Sequence, residues 1–168
     1  QPDAALDALR AALGAQYDVL RRLGQGGMGS VYLARDRTLD REVAVKVINS
    51  EVASNATLRE RFLLEARTVA KLRHPGIVSV FAAGESDGLL YFVMEYVPGE
   101  SLRERLVREQ RLPREDGVRI IREIALALHH AHAQGLIHRD VKPENILLDS
   151  HTGRAMLTDF GVARALEA

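Results

Sequence analysis

The densest run of polar side chains in the sequence lies at 138–145, where His-Arg-Asp-Val-Lys-Pro-Glu-Asn precedes three apolar residues. A loop so rich in charge beside an apolar strand is seldom a plain connection. Asp140 could accept a hydroxyl proton, Lys142 could neutralise charge on a transferring phosphoryl group, and Asn145 could ligate a divalent cation. Asp159 could supply the hard carboxylate ligand that magnesium prefers. The pattern predicts metal-assisted group transfer to a hydroxyl.

A single lysine, Lys46, interrupts an apolar run that is typical of a strand. One interpretation places Lys46 on an exposed strand face, which is the default for an isolated lysine. In the other, the ammonium faces an anion, because burial without one is costly. Glu65 and Glu60 are both candidates to pair with it. We prefer Glu65, since neighbouring Phe62 and Ala66 would carry its helix face inward.

A glycine-rich run, Gly24-x-Gly26-Gly27-x-Gly29, precedes the lysine. By itself the pattern fits either the helix-opening turn of a dinucleotide-binding fold or a hairpin. Here 30–33 continues as a strand, which favours the hairpin. Glycines in such a loop allow backbone N–H groups to approach phosphate oxygens closely.

Hydrophobic periodicity outlines the elements that must position these residues. A short amphipathic helix is predicted to end near Gly14, and further helices are predicted over 58–72, 101–107 and 114–133. The predicted strands are 17–23, 30–34, 42–48, 77–82 and 89–97, with a small hairpin formed by 146–148 and 156–158. We expect the long helix to turn inward the apolar residues Val118, Ile121, Ile124, Ala125 and Leu128.

Five separated motifs occur in the order found in eukaryotic-like (Hanks-type) Ser/Thr protein kinases, and the sequence resembles the bacterial members of that family. The motifs are the glycine loop through Val31, Val-Ala-Val-Lys ending at Lys46, the helix glutamate Glu65, the loop 138–145, and Asp-Phe-Gly at 159–161. The resemblance covers residues from Tyr17 to about Arg164.

The resemblance implies a role for each matching residue. The glycine loop would cover the phosphates of ATP, while Lys46, braced by Glu65, would contact the α- and β-phosphates. Asn145 and Asp159 would hold Mg²⁺, or Mn²⁺ in its place. Asp140 would accept the substrate proton, and Lys142 is typical of kinases that act on Ser and Thr. The residues expected around adenine are Val31, Ala44 and Leu147 on its faces, with Met94, Glu95 and Val97 as gatekeeper and hinge.

The implied fold is of the α+β class and bilobal, with a five-stranded antiparallel N-terminal lobe, one main helix and an incomplete helical C-terminal lobe. We expect an amphipathic helix at 1–15, the N-terminal lobe and hinge at 16–97, and part of the C-terminal lobe at 98–168. The chain is expected to be truncated shortly after Asp-Phe-Gly, without the activation segment and the helices that bind protein substrates.

The composition restricts the classes of partner that the chain is expected to bind. Lys plus Arg and Asp plus Glu each total 23, so no basic excess indicates nucleic acid. No apolar run is long enough to span a bilayer, and the absence of cysteine fits a cytoplasmic chain. The family resemblance implies protein substrates with Ser or Thr. Anchoring of the parent protein to the membrane, through a C-terminal region absent from this sequence, stays open.

Two other functions stay open from the sequence. A pseudokinase-like fragment would bind nucleotide without transferring phosphate, and a small-molecule phosphotransferase would share the His-x-Asp and the later aspartate. Two smaller features also have alternatives. The histidines at 129, 130 and 132 invite a metal site but fit packing or surface residues better. The N-terminal helix is either a brace on the strands, which we favour, or a docking element.

Overall fold

The structure is a computed structural model that describes residues 4–26, 29–48 and 50–160. An amphipathic helix comes first and is followed by three consecutive antiparallel strands. The helix and strands have the following bounds: α1 Ala4–Leu13, β1 Tyr17–Gly26, β2 Gly29–Asp36 and β3 Arg41–Ile48. Each of these predicted elements is confirmed. The leucines of α1 recur at helical spacing, and β3 is rich in β-branched residues, which favour strands.

Two helices and two strands follow: α2 Ser50–Ser54, α3 Ala56–Ala70, β4 Val80–Ser86 and β5 Leu89–Glu95. The Asn55 side chain caps α3 by accepting from the backbone N–H of Leu58 at 3.1 Å. The five strands form one antiparallel sheet in the order β1-β2-β3-β5-β4, as predicted for a five-stranded antiparallel lobe. Helix α2 was absent from the sequence prediction.

The fourth strand begins later than its apolar run predicts. Ile77 and Val78 lie outside β4, and Val78 donates to the carbonyl of Leu157 at 2.9 Å. Ile77 makes a parallel bridge to the same residue. The predicted strand over 77–82 is therefore wrong at its start, because this segment bonds to a different strand.

The rest of the chain combines helices with a small second sheet. Its elements are β6 Gly99–Ser101, α4 Leu102–Glu109, α5 Arg114–Ala133, a 3₁₀ turn Pro143–Asn145, β7 Ile146–Asp149 and β8 Ala155–Leu157. Strands β6, β7 and β8 pair antiparallel in that order. The hairpin β7–β8 and both helices were predicted, whereas β6 was not.

The inward face of α5 differs from the prediction. The buried residues are Ile120, Ile124, Ala127 and Ala131, whereas Val118 and Ile121 are exposed, the latter at 71%. Two apolar stripes at helical spacing run along this helix, so periodicity cannot choose between them. A Cβ placed on Gly76 would lie 3.1 Å from that of Ala127, so the stripe that contains Ala127 packs closely against this glycine. Of the five predicted inward residues only Ile124 is buried.

The chain divides into two compact units. The first holds the chain up to Leu63 together with Val80–Tyr96, and the second holds Leu64–Ser79 together with the chain from Val97. Helix α3 therefore contributes residues to both. The two sheets and the surrounding helices confirm the α+β class.

Helix α1 packs on one face of the sheet in the first unit. Leu9 and Leu13 join a buried cluster with Val19, Tyr32 and Val45. Arg10 Nε donates to the carbonyl of Val19 at 3.0 Å, next to an irregularity in β1. These contacts support the interpretation of α1 as a brace.

None of the helices in the described residues is both long and apolar enough to cross a membrane.

Candidate active site

The glycine hairpin joins β1 to β2 in the first unit. Gly24 pairs with Val31 and Gly26 pairs with Gly29, while Gly27 lies outside the described residues. Gly29 has φ +150°, and a Cβ there would collide with the carbonyl oxygen of Val47. Only glycine fits this position, because the backbones of β2 and β3 approach too closely for a side chain. A strand follows the glycines, which excludes the dinucleotide-binding alternative.

Lys46 is buried in the middle of β3, with only 5% of its surface exposed. It stands opposite Val31 on β2 and Phe92 on β5. The exposed-strand interpretation is therefore wrong, and burial of an ammonium requires polar or anionic partners. On α3, Glu65 is partly buried and Glu60 is exposed, in line with the preference for Glu65. A pairing of Lys46 with either glutamate stays a prediction.

Several residues expected near adenine share one face of the first sheet. Ala44 lies two residues before Lys46 and pairs with Met94 on β5, and Val31 stands opposite Lys46. Directly paired residues and residues two apart project to the same side of a sheet. Ala44 and Met94 are buried, and Val31 is partly buried. Helix α1 packs against the other face, which carries Val45.

The remaining adenine candidates are one residue of the first unit, Glu95, and two of the second, Val97 and Leu147. Glu95 ends β5 and is partly buried, and Val97 follows it in the second unit. Leu147 is a half-buried residue of β7, paired with Ser101 and Met156. Their contact with a nucleotide stays a prediction.

A buried histidine holds the start of the polar loop in the second unit. His138 is 1% exposed, and its Nδ1 accepts from the backbone N–H of Asp140 at 3.1 Å. The ring must then be neutral with its proton on Nε2, which donates to the carbonyl of Thr158 at 2.7 Å. Burial lowers the pKa of His138 below its ordinary value and favours this neutral form. The Phe160 ring packs beside it at 4.5 Å between centroids.

Asp140 lies at the centre of the polar loop. Its Oδ2 is 3.2 Å from Lys142 Nζ and accepts from Asn145 Nδ2 at 3.1 Å. The Asp140 side chain is 31% exposed, so solvent or a substrate hydroxyl can reach it. A carboxylate fixed by an amide and an ammonium is oriented as a general base requires. The structure therefore brings Asp140, Lys142 and Asn145 together.

Asn145 is buried at the end of the 3₁₀ turn, although its side chain is polar. Its Nδ2 donates to both the carbonyl and the carboxylate of Asp140, the former at 2.8 Å. Because the amide nitrogen is committed to Asp140, Oδ1 is the atom that can ligate a metal ion. Amide and carboxylate oxygens suit a hard divalent cation such as magnesium.

Asp159 follows β8 and is tied to the same loop. The backbone N–H of Thr158 donates to the carbonyl of Asn145 at 3.0 Å, so the residue before Asp159 is bonded to the other candidate metal ligand. Asp159 has φ +61° and Arg139 has φ +71°. Left-handed backbone in non-glycine residues is uncommon and often marks functional sites. Gly161, the last residue of the Asp-Phe-Gly motif, lies outside the described residues.

Sequence reasoning missed the backbone partners that assemble this site. The carbonyl oxygens of Thr158 and Asn145 fix His138 and the turn after β8, yet any residue type supplies a carbonyl.

The histidine at 130, one of the three that invited a metal site, packs against His74, with 5.1 Å between ring centroids. Burial, followed by the nearby His130 and Arg154, lowers the pKa of His74.

Comparison with known proteins identifies the family. Residues 17–168 match the model of the protein kinase domain. The chain is 44% identical over 153 residues to serine/threonine-protein kinase PrkC of Bacillus subtilis, covering 91% of this chain and 24% of that protein. It is 47% identical over 161 residues to serine/threonine-protein kinase PknA of Mycobacterium tuberculosis, covering 93% of this chain and 37% of that protein.

Solved structures agree. The kinase domain of Mycobacterium tuberculosis PknI superposes with a TM-score of 0.79 at 38% identity, covering 88% of this chain and 60% of that one. The chain thus spans 24–37% of the length of these curated relatives and 60% of this solved domain. The predicted protein-kinase fold is confirmed, and the chain belongs to the protein kinase domain family.

Proposed function

We propose that the chain transfers the γ-phosphoryl group of ATP, with Mg²⁺, to Ser and Thr hydroxyls of proteins. The observation that carries the proposal is the geometry around Asp140, whose carboxylate is accessible, is oriented by Asn145 and lies 3.2 Å from Lys142. Family membership supports ATP and a divalent metal ion in general. The choice of magnesium rests on the oxygen ligands that Asn145 and Asp159 offer.

Each residue has a defined task in this proposal. Asp140 accepts the hydroxyl proton of the substrate, and Lys142 neutralises charge on the transferring group. Lys46, oriented by Glu65, binds the α- and β-phosphates. Asn145 and Asp159 hold the metal ion, which would supply charge neutralisation on the phosphates when bound.

Nucleotide binding itself is assigned to the remaining candidates. The residues proposed to bind the phosphates are Gly24, Gly26, Gly27 and Gly29, and those proposed to bind the adenine are Val31, Ala44, Met94, Glu95, Val97 and Leu147. A Cβ built on Gly24 has no heavy atom within 4 Å, so the space beside this glycine is open for a phosphate group to approach the backbone.

Two measurements on the same preparations test the proposal: phosphoryl transfer to a protein substrate and binding of ATP. The chain is incubated with radiolabelled ATP, MgCl₂ and casein, and Asp140→Asn serves as the matched variant. Label on Ser or Thr of casein with the parent chain and not with the variant supports the proposal. ATP binding without any transfer would instead favour the pseudokinase-like alternative. Absence of both binding and transfer would overturn the proposal.

A further inference from the structure

Strand β8 has one edge paired with β7 and a second edge that other parts of the second unit cover. Leu157 uses its N–H and carbonyl on this second edge, bonding to Gly76 and Val78. At the start of β8, the N–H of Ala155 donates to the Glu123 carboxylate at 2.6 Å. Ala155 is fully buried, so without Glu123 its N–H would lose its partner. The carboxylate therefore acts as a substitute for a neighbouring strand.

A second residue of α5, Arg119, lies one helical turn before Glu123 and contacts the turn between β7 and β8. Arg119 donates to the carbonyl of Gly153 at 2.5 Å and lies 3.4 Å from the other carboxylate oxygen of Glu123. Glu123 is only 20% exposed, which strengthens its hydrogen bond relative to a surface contact. Acceptor and donor from one helix thus fix the turn between β7 and β8.

This turn belongs to the hairpin that joins the two candidate metal ligands. Strand β7 starts directly after Asn145, and β8 ends two residues before Asp159. Ile146 pairs with Leu157 across the hairpin. Asn145 and Asp159 flank the hairpin, so loss of the contacts that fix its turn would change their spacing by letting the β7–β8 register relax.

We propose that Glu123 is a positioning residue that sets the metal affinity of the site through the β7–β8 hairpin. The inference rests on the proposed function, because it takes Asn145 and Asp159 as the metal ligands. Residues that orient metal ligands from outside the ligand set change metal affinity by about 10–100-fold. Glu123 does this without touching the ligands, through the N–H of Ala155.

Three variants separate the hydrogen bond from the charge. Glu123→Leu removes the acceptor, Glu123→Asp withdraws it by one methylene, and Glu123→Gln retains an acceptor oxygen. Glu115→Leu and Glu115→Gln are the matched controls, since Glu115 lies in the first turn of the same helix and is exposed.

Two measurements are made on each chain. Amide hydrogen exchange by NMR reports the protection of Ala155, independently of any activity. ATP affinity is measured at increasing Mg²⁺ concentration, and the concentration that gives half of the metal-induced gain, the Mg²⁺ midpoint, reports the metal site. Thermal melts confirm that each variant is folded at the temperature used.

Glu123→Leu is expected to accelerate exchange at Ala155 at least about tenfold and to raise the Mg²⁺ midpoint about tenfold. Glu123→Gln is expected to restore most of both values, and the Glu115 variants should match the parent chain. If Glu123→Leu does not fold, the same two shifts in Glu123→Asp decide the question.

An unchanged Mg²⁺ midpoint in folded Glu123→Leu or Glu123→Asp would overturn the inference while the proposed function stands. Equal shifts in the Glu115 controls would also overturn it. A parent chain whose ATP affinity ignores Mg²⁺ would overturn the proposed metal site, and this inference with it.

Discussion

The glycine hairpin of the first unit and the polar loop of the second unit are held in place by different forces. The hairpin is an extension of two paired strands, and Gly29 fits because the backbone of β3 leaves no room for a side chain. The loop has almost no strand pairing of its own, and side chains such as His138 and Asn145 bond to backbone groups instead. Steric fit therefore specifies the first region, and satisfied hydrogen bonds specify the second.

The largest expected effect falls on the second region. Asp140→Asn should lower phosphoryl transfer by about 10³-fold, because an amide cannot accept the hydroxyl proton as a carboxylate does. ATP affinity should stay within a few-fold, since the side chain is assigned to the hydroxyl and not to the nucleotide. Initial rates and ATP titrations on the same preparations check both values. A large loss of ATP affinity would give Asp140 a structural task in the loop instead.

The hairpin should respond through stability instead of chemistry. Gly29→Ala should destabilise the fold by about 2–4 kcal/mol, because the new Cβ meets the Val47 carbonyl and the backbone is at φ +150°. Gly24→Ala is the matched control, with no heavy atom within 4 Å of the built Cβ. Urea unfolding measures both. Equal stability of the two variants would show that steric fit does not specify the hairpin.

How far the sequence predicts each region follows from these forces. Strand and helix positions follow from periodicity, which is local, so β1–β3 and the bounds of α5 are predicted well. The face that α5 buries packs near Gly76, about fifty residues away in sequence, and periodicity alone does not distinguish that face from the predicted one. Tertiary contacts of this kind have no signature in a short window.

The site shows the same division. Residue types and spacing single out Lys46, Asp140 and Asn145 as candidates. A lysine in an apolar run needs a polar or anionic partner, and a charge-dense loop beside an apolar strand is seldom a plain connection. The bonds of Asn145 and His138 to backbone carbonyls could not be predicted, since carbonyls belong to every residue. Motif order and family resemblance supplied the assignment of roles that geometry alone does not give.

A metal-ligand variant sharpens the comparison within the second region. Asp159→Asn should remove the metal-induced gain in ATP affinity, because a neutral amide is a much weaker ligand for magnesium than a carboxylate. ATP binding in EDTA should be unchanged, and calorimetric titrations with and without MgCl₂ measure both. Unaltered magnesium dependence would exclude Asp159 as a metal ligand.

The smallest effect concerns the pH dependence of the hydrogen-bonded loop. Burial lowers the pKa of His138 in the folded state, whereas the unfolded chain has an ordinary value of about 6.5. Protons therefore bind more readily to the unfolded state, so His138 contributes stability above that pH and loses it as the pH falls below about 6.5. Protonation would also place a proton on Nδ1, where the N–H of Asp140 donates.

Urea unfolding of the parent chain and His138→Gln at pH 7.5 and pH 5.5 measures this contribution. The parent should lose more stability than the variant over that interval. Burial also lowers the pKa of His74, so His74 should contribute to the pH dependence of stability with the same sign. His74→Gln is measured alongside to separate the contributions of the two histidines. Identical pH dependence in the parent and His138→Gln would mean that the neutral ring does not hold the loop. The hydrogen bonds that Asn145 donates to Asp140 would then remain as support for the loop.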